Sequence, residues 1–101
     1  MSIQALILTK IKDERARQDE KWGVQLHSLP MWLTILGEEF GEACKEACGF
    51  TSSTDIIDRA TALINFKKEL IQVAAVCVAT LEHLETSDNL PYPLKRFTTH
   101  E

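Results

Sequence analysis

Apolar residues near the start of the chain recur at helical spacing, at Ile3, Leu6, Ile7 and Ile11. Residues three and four positions apart share one face of an α-helix, so the spacing predicts an amphipathic helix from residue 3 to about residue 20. Asp13 and Arg17 are four positions apart and could pair on it. Gly23 follows its predicted end.

A second helix is predicted from Pro30, which suits a first turn, to about residue 48, where Gly49 is expected to end it. At about 100° per residue, one apolar stripe forms on this helix. Glu39 lies at its border and Glu42 lies one turn further on. The members of the stripe are Leu33, Leu36, Phe40, Ala43, Cys44 and Ala47.

A third helix is predicted from about residue 55 to residue 86, with a break near Asn65 left open. Residues 51–54 are rich in capping side chains, and acidic residues follow at the expected helix start. No charged residue occurs from Leu70 to Leu81, so this part of the helix is expected to be buried on all sides.

These elements predict an all-α helical bundle with long second and third helices, in which residues 1–86 form one domain and residues 87–101 a C-terminal tail. Two other helices cannot cover the whole third helix, including Val73, Val76, Cys77 and Val78. We therefore expect a four-helix-bundle-like core completed by oligomerisation, as a homodimer or a dimer of dimers. The alternative is a monomeric bundle closed by the tail.

Composition narrows the classes of partner. The chain has 101 residues, 45% of them hydrophobic, and a formal net charge of -4. The negative charge argues against nucleic-acid binding, and the absence of a long apolar run argues against a membrane protein. Cys44, Cys48 and Cys77 are expected in the core, and their odd number suggests a reducing, cytosolic location.

Glu69 begins the charge-free stretch, and Gln72 lies one turn after it, just as Glu42 follows Glu39. Burying an ionised carboxylate costs several kcal/mol unless a partner charge compensates it. We therefore expect Glu39, Glu42 and Glu69 to bind a divalent metal ion together. The alternative is a solvated acidic edge, with Glu69 paired to a lysine or arginine of another helix.

The pattern Glu38-Glu39-x-x-Glu42 followed by Glu69-x-x-Gln72 resembles the Glu-Glu-x-x-Glu … Glu-x-x-Asp signature of MazG-like nucleotide pyrophosphohydrolases. The resemblance extends upstream through ERARQDEKWG and spans roughly residues 10 to 85. It implies an all-α, magnesium-dependent enzyme that cleaves a nucleoside triphosphate to the monophosphate and pyrophosphate. The chain departs from the signature at Gln72, where the family has aspartate, so the charge of that ligand is missing.

The resemblance also implies the roles of individual residues. The metal, Mg²⁺ with Mn²⁺ as a substitute, would be bound by the catalytic glutamates Glu38, Glu39, Glu42 and Glu69 together with Gln72. The substrate would contact Gln18, Lys21, Trp22 and Lys68, although Trp22 could equally be a core or interface aromatic residue. Trp32 is expected to wall the pocket, and the further candidates for phosphate binding are Arg15, Arg59 and Lys67.

Two other classes of helical bundle also use buried or clustered glutamates. A carboxylate-bridged di-iron site needs a histidine three residues after a glutamate, but the residues three before His27, His83 and His100 are Val24, Thr80 and Phe97. A non-catalytic nucleotide- or protein-binding bundle with a degenerate metal site stays open because of Gln72.

Overall fold

The computed structural model of the protein describes residues 1–86, and in this range it contains three α-helices and no strand. They are α1 (Ile3–Trp22), α2 (Leu29–Ser52) and α3 (Ile56–Thr86). The predicted all-α bundle with long second and third helices is confirmed. The predicted tail, residues 87–101, lies outside the described residues.

Short polar side chains begin each helix. Ser2 and Ser28 accept hydrogen bonds from the backbone N–H groups of Ala5 and Met31, at 3.0 and 3.3 Å. Asp55 does the same for the N–H of Asp58, at 3.0 Å. These caps satisfy N–H groups that have no partner within the helix. At the end of α1, Gly23 has φ +68°, which glycine adopts without steric cost.

α2 and α3 form an antiparallel hairpin joined by residues 53–55. Gly49, near the end of α2, faces Ala62, near the start of α3, and Trp32, at the other end of α2, packs against Val76 and Ala79. α1 packs on α3 alone, with its Cα atoms more than 8 Å from those of α2. A gap therefore separates α1 from α2, with α3 at its base.

The core of the described domain is small. Its buried apolar side chains are Trp32, Ala43, Ala62, Ala75, Val76 and Ala79. Among them Trp32 is by far the largest, with 3% of its surface exposed, and Ile35 and Leu36 pack partly buried against it. A single indole therefore supplies much of the apolar area that holds α2 to α3.

One predicted helix boundary is wrong. α2 does not end near residue 48, because helical hydrogen bonding continues through Gly49 to Ser52, and the N–H of Ser53 donates to the carbonyl of Gly49. Gly49 faces Ala62 of α3, and a β-carbon at Gly49 would lie 3.8 Å from the Ala62 side chain, an ordinary van der Waals contact. The break near Asn65 does not occur, and α3 is continuous through that residue.

The predicted apolar stripe of α2 is rotated from the face that packs. Leu33, Phe40 and Cys44 are exposed, whereas Trp32 and Ala43 are buried, with Leu36 and Ala47 partly buried. All three cysteines are exposed, which corrects their assignment to the core. The charge-free part of α3 is also not buried on all sides, since Leu70, Val78 and Leu81 are 37–58% exposed. Two neighbouring helices can cover only part of a helix circumference.

Within residues 1–86, no helix combines the length and the apolar character that crossing a bilayer requires.

The contact between α1 and α3 includes an ion pair at Arg15. Its guanidinium lies 2.7 Å from the Glu82 carboxylate of α3 and 3.0 Å from Asp19 of α1, and its side chain is only 15% exposed. Burial opposes the charge of Arg15, but the hydrogen bonds to Glu82 and Asp19 outweigh it and raise the pKa of the guanidinium. Arg17, which was expected to pair with Asp13, instead binds Glu14 within α1 at 2.6 Å.

We expect Arg15→Met to lower the free energy of unfolding by about 1–2 kcal/mol, because a charge-assisted link between two helices is lost while the aliphatic stem is kept. Urea denaturation followed by circular dichroism measures this. Lys12→Met is the matched control and should change stability little, because Lys12 is exposed on the same helix. Equal effects of the two substitutions would contradict the assigned role of Arg15.

Candidate active site

The central feature of the site is a carboxylate pair that two helices bring together. Glu39 projects from α2, and Glu69 and Gln72 project from α3. With its amide oriented so that the nitrogen faces the carboxylates, Gln72 donates to Glu39 Oε2 at 2.8 Å and to Glu69 Oε2 at 3.1 Å. The two glutamates, thirty positions apart in sequence, therefore share one amide donor across the helix interface.

The electrostatics of Glu39 reflect this arrangement. Burial raises the pKa of the Glu39 carboxyl, and hydrogen bonding to Glu69 raises it further. The negative charges of Glu69, Glu42 and Glu14 add to the same effect on the Glu39 pKa. Burial and the neighbouring negative charges thus act in the same direction and favour the protonated form of Glu39.

The other predicted ligands are less closely placed. Glu38 and Glu42 are exposed on α2, and Glu42 acts on Glu39 through its charge. Within residues 1–86, no three histidine, cysteine or acidic side chains converge as a ready-made metal site. The Gln72 amide lies against both carboxylates of the central pair, at the position where the family signature has a third carboxylate.

Beside the carboxylate pair lies a cleft of about 340 Å³ between α1 and the α2–α3 hairpin. We call it the acidic cleft. Glu39 and Gln72 line the hairpin side, and three predicted substrate-binding residues, Gln18, Lys21 and Trp22, line the α1 side. The structure thus brings residues predicted for metal and for substrate binding to one cavity. Lys68 is exposed on α3 and does not line it.

Trp22 lies at the end of α1 with 51% of its surface exposed. The Lys21 ammonium lies 4.8 Å and the Arg17 guanidinium 6.0 Å from the centre of its ring. These distances are in the range of cation–π interactions. An aromatic face and two cations therefore occupy one rim of the acidic cleft.

Trp32 lines the acidic cleft from its buried side, as expected for a wall of the pocket. The His27 ring packs against the indole in a T-shaped arrangement, with the two ring centres 4.9 Å apart. The centre of the His83 ring lies 5.7 Å from the centre of the indole. Its indole Nε1 is buried and has no hydrogen-bond partner within the described part of the chain.

Three polar residues of the cleft are not among the residues predicted from the sequence: Glu14, Arg17 and Gln25. The signal for Glu14 was present, because Ile11, Glu14, Gln18 and Lys21 recur at helical spacing, so the inner face of α1 turns from apolar to polar along its length. The Arg17 hydrogen bonds hold the pKa of Glu14 below its usual value, against the effect of burial.

The remaining candidates for phosphate binding lie elsewhere. Arg15 is engaged by Glu82 and Asp19, and Arg59 donates to the Phe50 carbonyl while its guanidinium lies 4.7 Å from the Phe50 ring centre. Lys67 is exposed on α3. None of the three lines the acidic cleft.

Comparison with known proteins adds no relative: no protein-family model, no curated protein and no solved structure matches this chain.

Proposed function

We propose that this protein is a magnesium-dependent nucleoside triphosphate pyrophosphohydrolase of the MazG-like kind. One observation carries the proposal: Glu39 and Glu69 share the Gln72 amide at a cleft whose opposite side presents Lys21, Arg17 and Trp22. Carboxylates suit a hard divalent cation, and cations beside an aromatic ring suit a nucleotide. A triphosphate bound between the two sides would meet both chemistries.

The residues of the cluster fit a divalent cation. Glu39 and Glu69 are close enough to raise the pKa of Glu39, and oxygen ligands with this mutual repulsion gain from a cation that replaces the amide donor. Glu42 and Glu38, both exposed on the same helix, would complete the ligand set, and Gln72 would offer its amide oxygen after rotation. Bound magnesium, or manganese in its place, would neutralise charge on the phosphates and lower the pKa of an attacking water.

The protein side chains would orient the substrate. Lys21 would bind phosphate oxygens, Arg17 would join it by exchanging its ion pair with Glu14 for the phosphate, and the half-exposed ring of Trp22 would contact the base. Gln18 would donate to the sugar or phosphate from the middle of the same side of the cleft. Cleavage between the α- and β-phosphates would release the monophosphate and pyrophosphate.

A second candidate function is a non-catalytic nucleotide- or protein-binding bundle with a degenerate metal site. The observation that favours it is the neutral amide of Gln72, which donates a hydrogen bond to each carboxylate of the central pair without any metal ion. A chain of this kind would bind nucleotide through the α1 side of the cleft without turnover.

Assembly and location belong to the same proposal. A homodimer or a dimer of dimers would cover exposed apolar residues of α3, such as Leu70, Val78 and Leu81. Three free, exposed cysteines are typical of a reducing compartment, which favours the cytosol.

The decisive experiment measures pyrophosphate release from a panel of ribo- and deoxyribonucleoside triphosphates with magnesium, with manganese and with a chelator. Metal-dependent release of pyrophosphate and monophosphate in equal amounts is the expected result. Absence of release, together with nucleotide binding by calorimetry, would favour the non-catalytic bundle. Release of orthophosphate instead would place the cleavage at another bond and contradict the proposal.

Gln72→Asp should lower the magnesium concentration needed for half-maximal activity, because a third charged oxygen ligand strengthens the site. In the metal-free chain the same change should lower the melting temperature, because two hydrogen bonds to carboxylates become carboxylate repulsion. Thr61→Asp, at an exposed position inside α3 that does not line the acidic cleft, controls for the added charge. A raised magnesium requirement would contradict the placement of Gln72 at the metal.

A further inference from the structure

A second cleft, of about 580 Å³, adjoins the acidic cleft at the end of the bundle opposite the connection between α2 and α3. We call it the end cleft. It lies between the end of α1, the loop from α1 to α2 and the last turn of α3, and its lining includes Asp19, Val24, Leu26, Trp32, Glu82 and Thr86. None of its acidic residues has a role in the proposed hydrolysis.

The loop side of the end cleft is apolar and open. Val24 is 89% exposed and Leu26 is 76% exposed, although both line a concave surface whose inner wall is the buried Trp32. Neighbouring apolar side chains around a concave site gain free energy when a matching apolar group covers them. The opposite side carries the carboxylates of Asp19 and Glu82.

We propose that residues 88–97 of this chain dock in the end cleft. Thr86 lines the end cleft, and only Ser87 separates it from the segment in the sequence. The segment can therefore reach the cleft without a long linker. Being tethered, the segment has a high effective concentration at the cleft, and modest contacts suffice to hold it there. This inference does not depend on the proposed hydrolase activity.

The sequence of the segment matches the chemistry of the cleft. Leu90, Tyr92 and Leu94 alternate with two prolines, so apolar side chains are presented on a backbone that already favours an extended conformation. Proline-rich segments of this kind bind aromatic-lined grooves because little conformational entropy is lost. The apolar residues would cover Val24 and Leu26 beside Trp32.

Charge supports the same pairing. Lys95 and Arg96 follow the apolar part of the segment, and the end cleft carries Asp19 and Glu82, which share a single cation, Arg15, among the described contacts. A second copy of the chain is the less favourable occupant, because it lacks the covalent tether that joins the segment to Thr86 at the cleft.

Hydrogen exchange on the full-length chain tests the proposal, with Leu90→Asp/Leu94→Asp compared with Thr98→Asp/Thr99→Asp, which adds the same charge outside the apolar motif. We expect the amides of residues 24–27 to exchange about tenfold faster in the first variant than in the second, as for a contact populated in about nine molecules of ten. Far-ultraviolet circular dichroism should be the same for both variants.

The reciprocal substitution is made in the cleft. Leu26→Asp should speed exchange of the amides in residues 88–97, whereas Leu33→Asp, at an exposed leucine of α2 that does not line the cleft, should not. Unchanged exchange of residues 24–27 in Leu90→Asp/Leu94→Asp would overturn the proposal. Protection that grows with protein concentration would also overturn it, because a second copy would then be the occupant.

Discussion

Replacing Glu39 with glutamine is expected to abolish nucleotide turnover and, at neutral pH, to raise the melting temperature of the metal-free chain. Glutamine keeps the size and the hydrogen-bonding oxygen of the side chain but removes the charge that would bind magnesium. Loss of one such ligand should lower kcat/KM by about 10³-fold. Without metal, the same change removes the repulsion that Glu69, Glu42 and Glu14 exert on the Glu39 carboxylate.

The stability effect should depend on pH with a definite sign. In the folded chain the pKa of Glu39 is raised above its ordinary value of 4.5. Between pH 4.5 and the raised pKa, the folded chain therefore binds a proton at Glu39 more tightly than the unfolded chain does. The wild type therefore gains stability as pH falls through the raised pKa, and loses it as pH rises. Glutamine does not titrate, so the stability gained by Glu39→Gln should be largest at neutral pH and vanish near pH 4.5. We expect a gain of about 1 kcal/mol at most in the free energy of unfolding, which corresponds to a rise of a few degrees in melting temperature.

Thermal melts at several pH values, with a chelator present, check the stability arm, and pyrophosphate release checks the activity arm. Glu85→Gln, at an exposed position of α3 outside the cleft, is the matched control for both. Full activity of Glu39→Gln would remove the metal assignment. A lower melting temperature at neutral pH would contradict the electrostatic description of the pair, whatever the activity.

Trp32→Ala is expected to have the largest effect on folding of any single truncation in the described domain. The indole is 3% exposed and packs against Val76 and Ala79, where the other buried side chains are small. Truncating a buried tryptophan costs about 3–5 kcal/mol. A domain of this size has a total stability of about 5–15 kcal/mol, so the variant should be close to unfolding at 37 °C.

Urea denaturation followed by circular dichroism measures the loss, and Trp22→Ala is the control. Trp22 has 51% of its surface exposed at the end of α1, so its truncation should leave stability within about 1 kcal/mol of the wild type. A loss below about 1 kcal/mol for Trp32→Ala would mean that another contact holds α2 to α3.

Much of the architecture followed from local rules. The periodicity of α1, the serine caps and the glycine after Trp22 act within one or two turns, so helix number and approximate boundaries could be predicted. The errors came where tertiary packing opposed a local preference. Gly49 predicts a helix end, but α2 continues through it to Ser52 along the face that meets Ala62 of α3.

The candidate site divides in the same way. The spacing of Glu39 and Glu42, and of Glu69 and Gln72, could be read as shared helix faces without any structure. The side of the cleft formed by α1 could be anticipated only through the resemblance, and Arg17 and Glu14 were not found, because their place beside Glu39 depends on how α1 rests on α3.

The sequence by itself determined that the chain forms three helices and that the acidic residues lie on particular faces of two of them, because helical periodicity is a local property. Only the tertiary structure decided which faces pack. It buried Trp32 together with the predicted Ala43 and left Leu33 and Phe40 exposed, left the cysteines exposed, and joined Glu39 to Glu69 through Gln72. The physical reason is that a wide apolar stripe permits several rotations of a helix, and close packing between complete helices selects one of them.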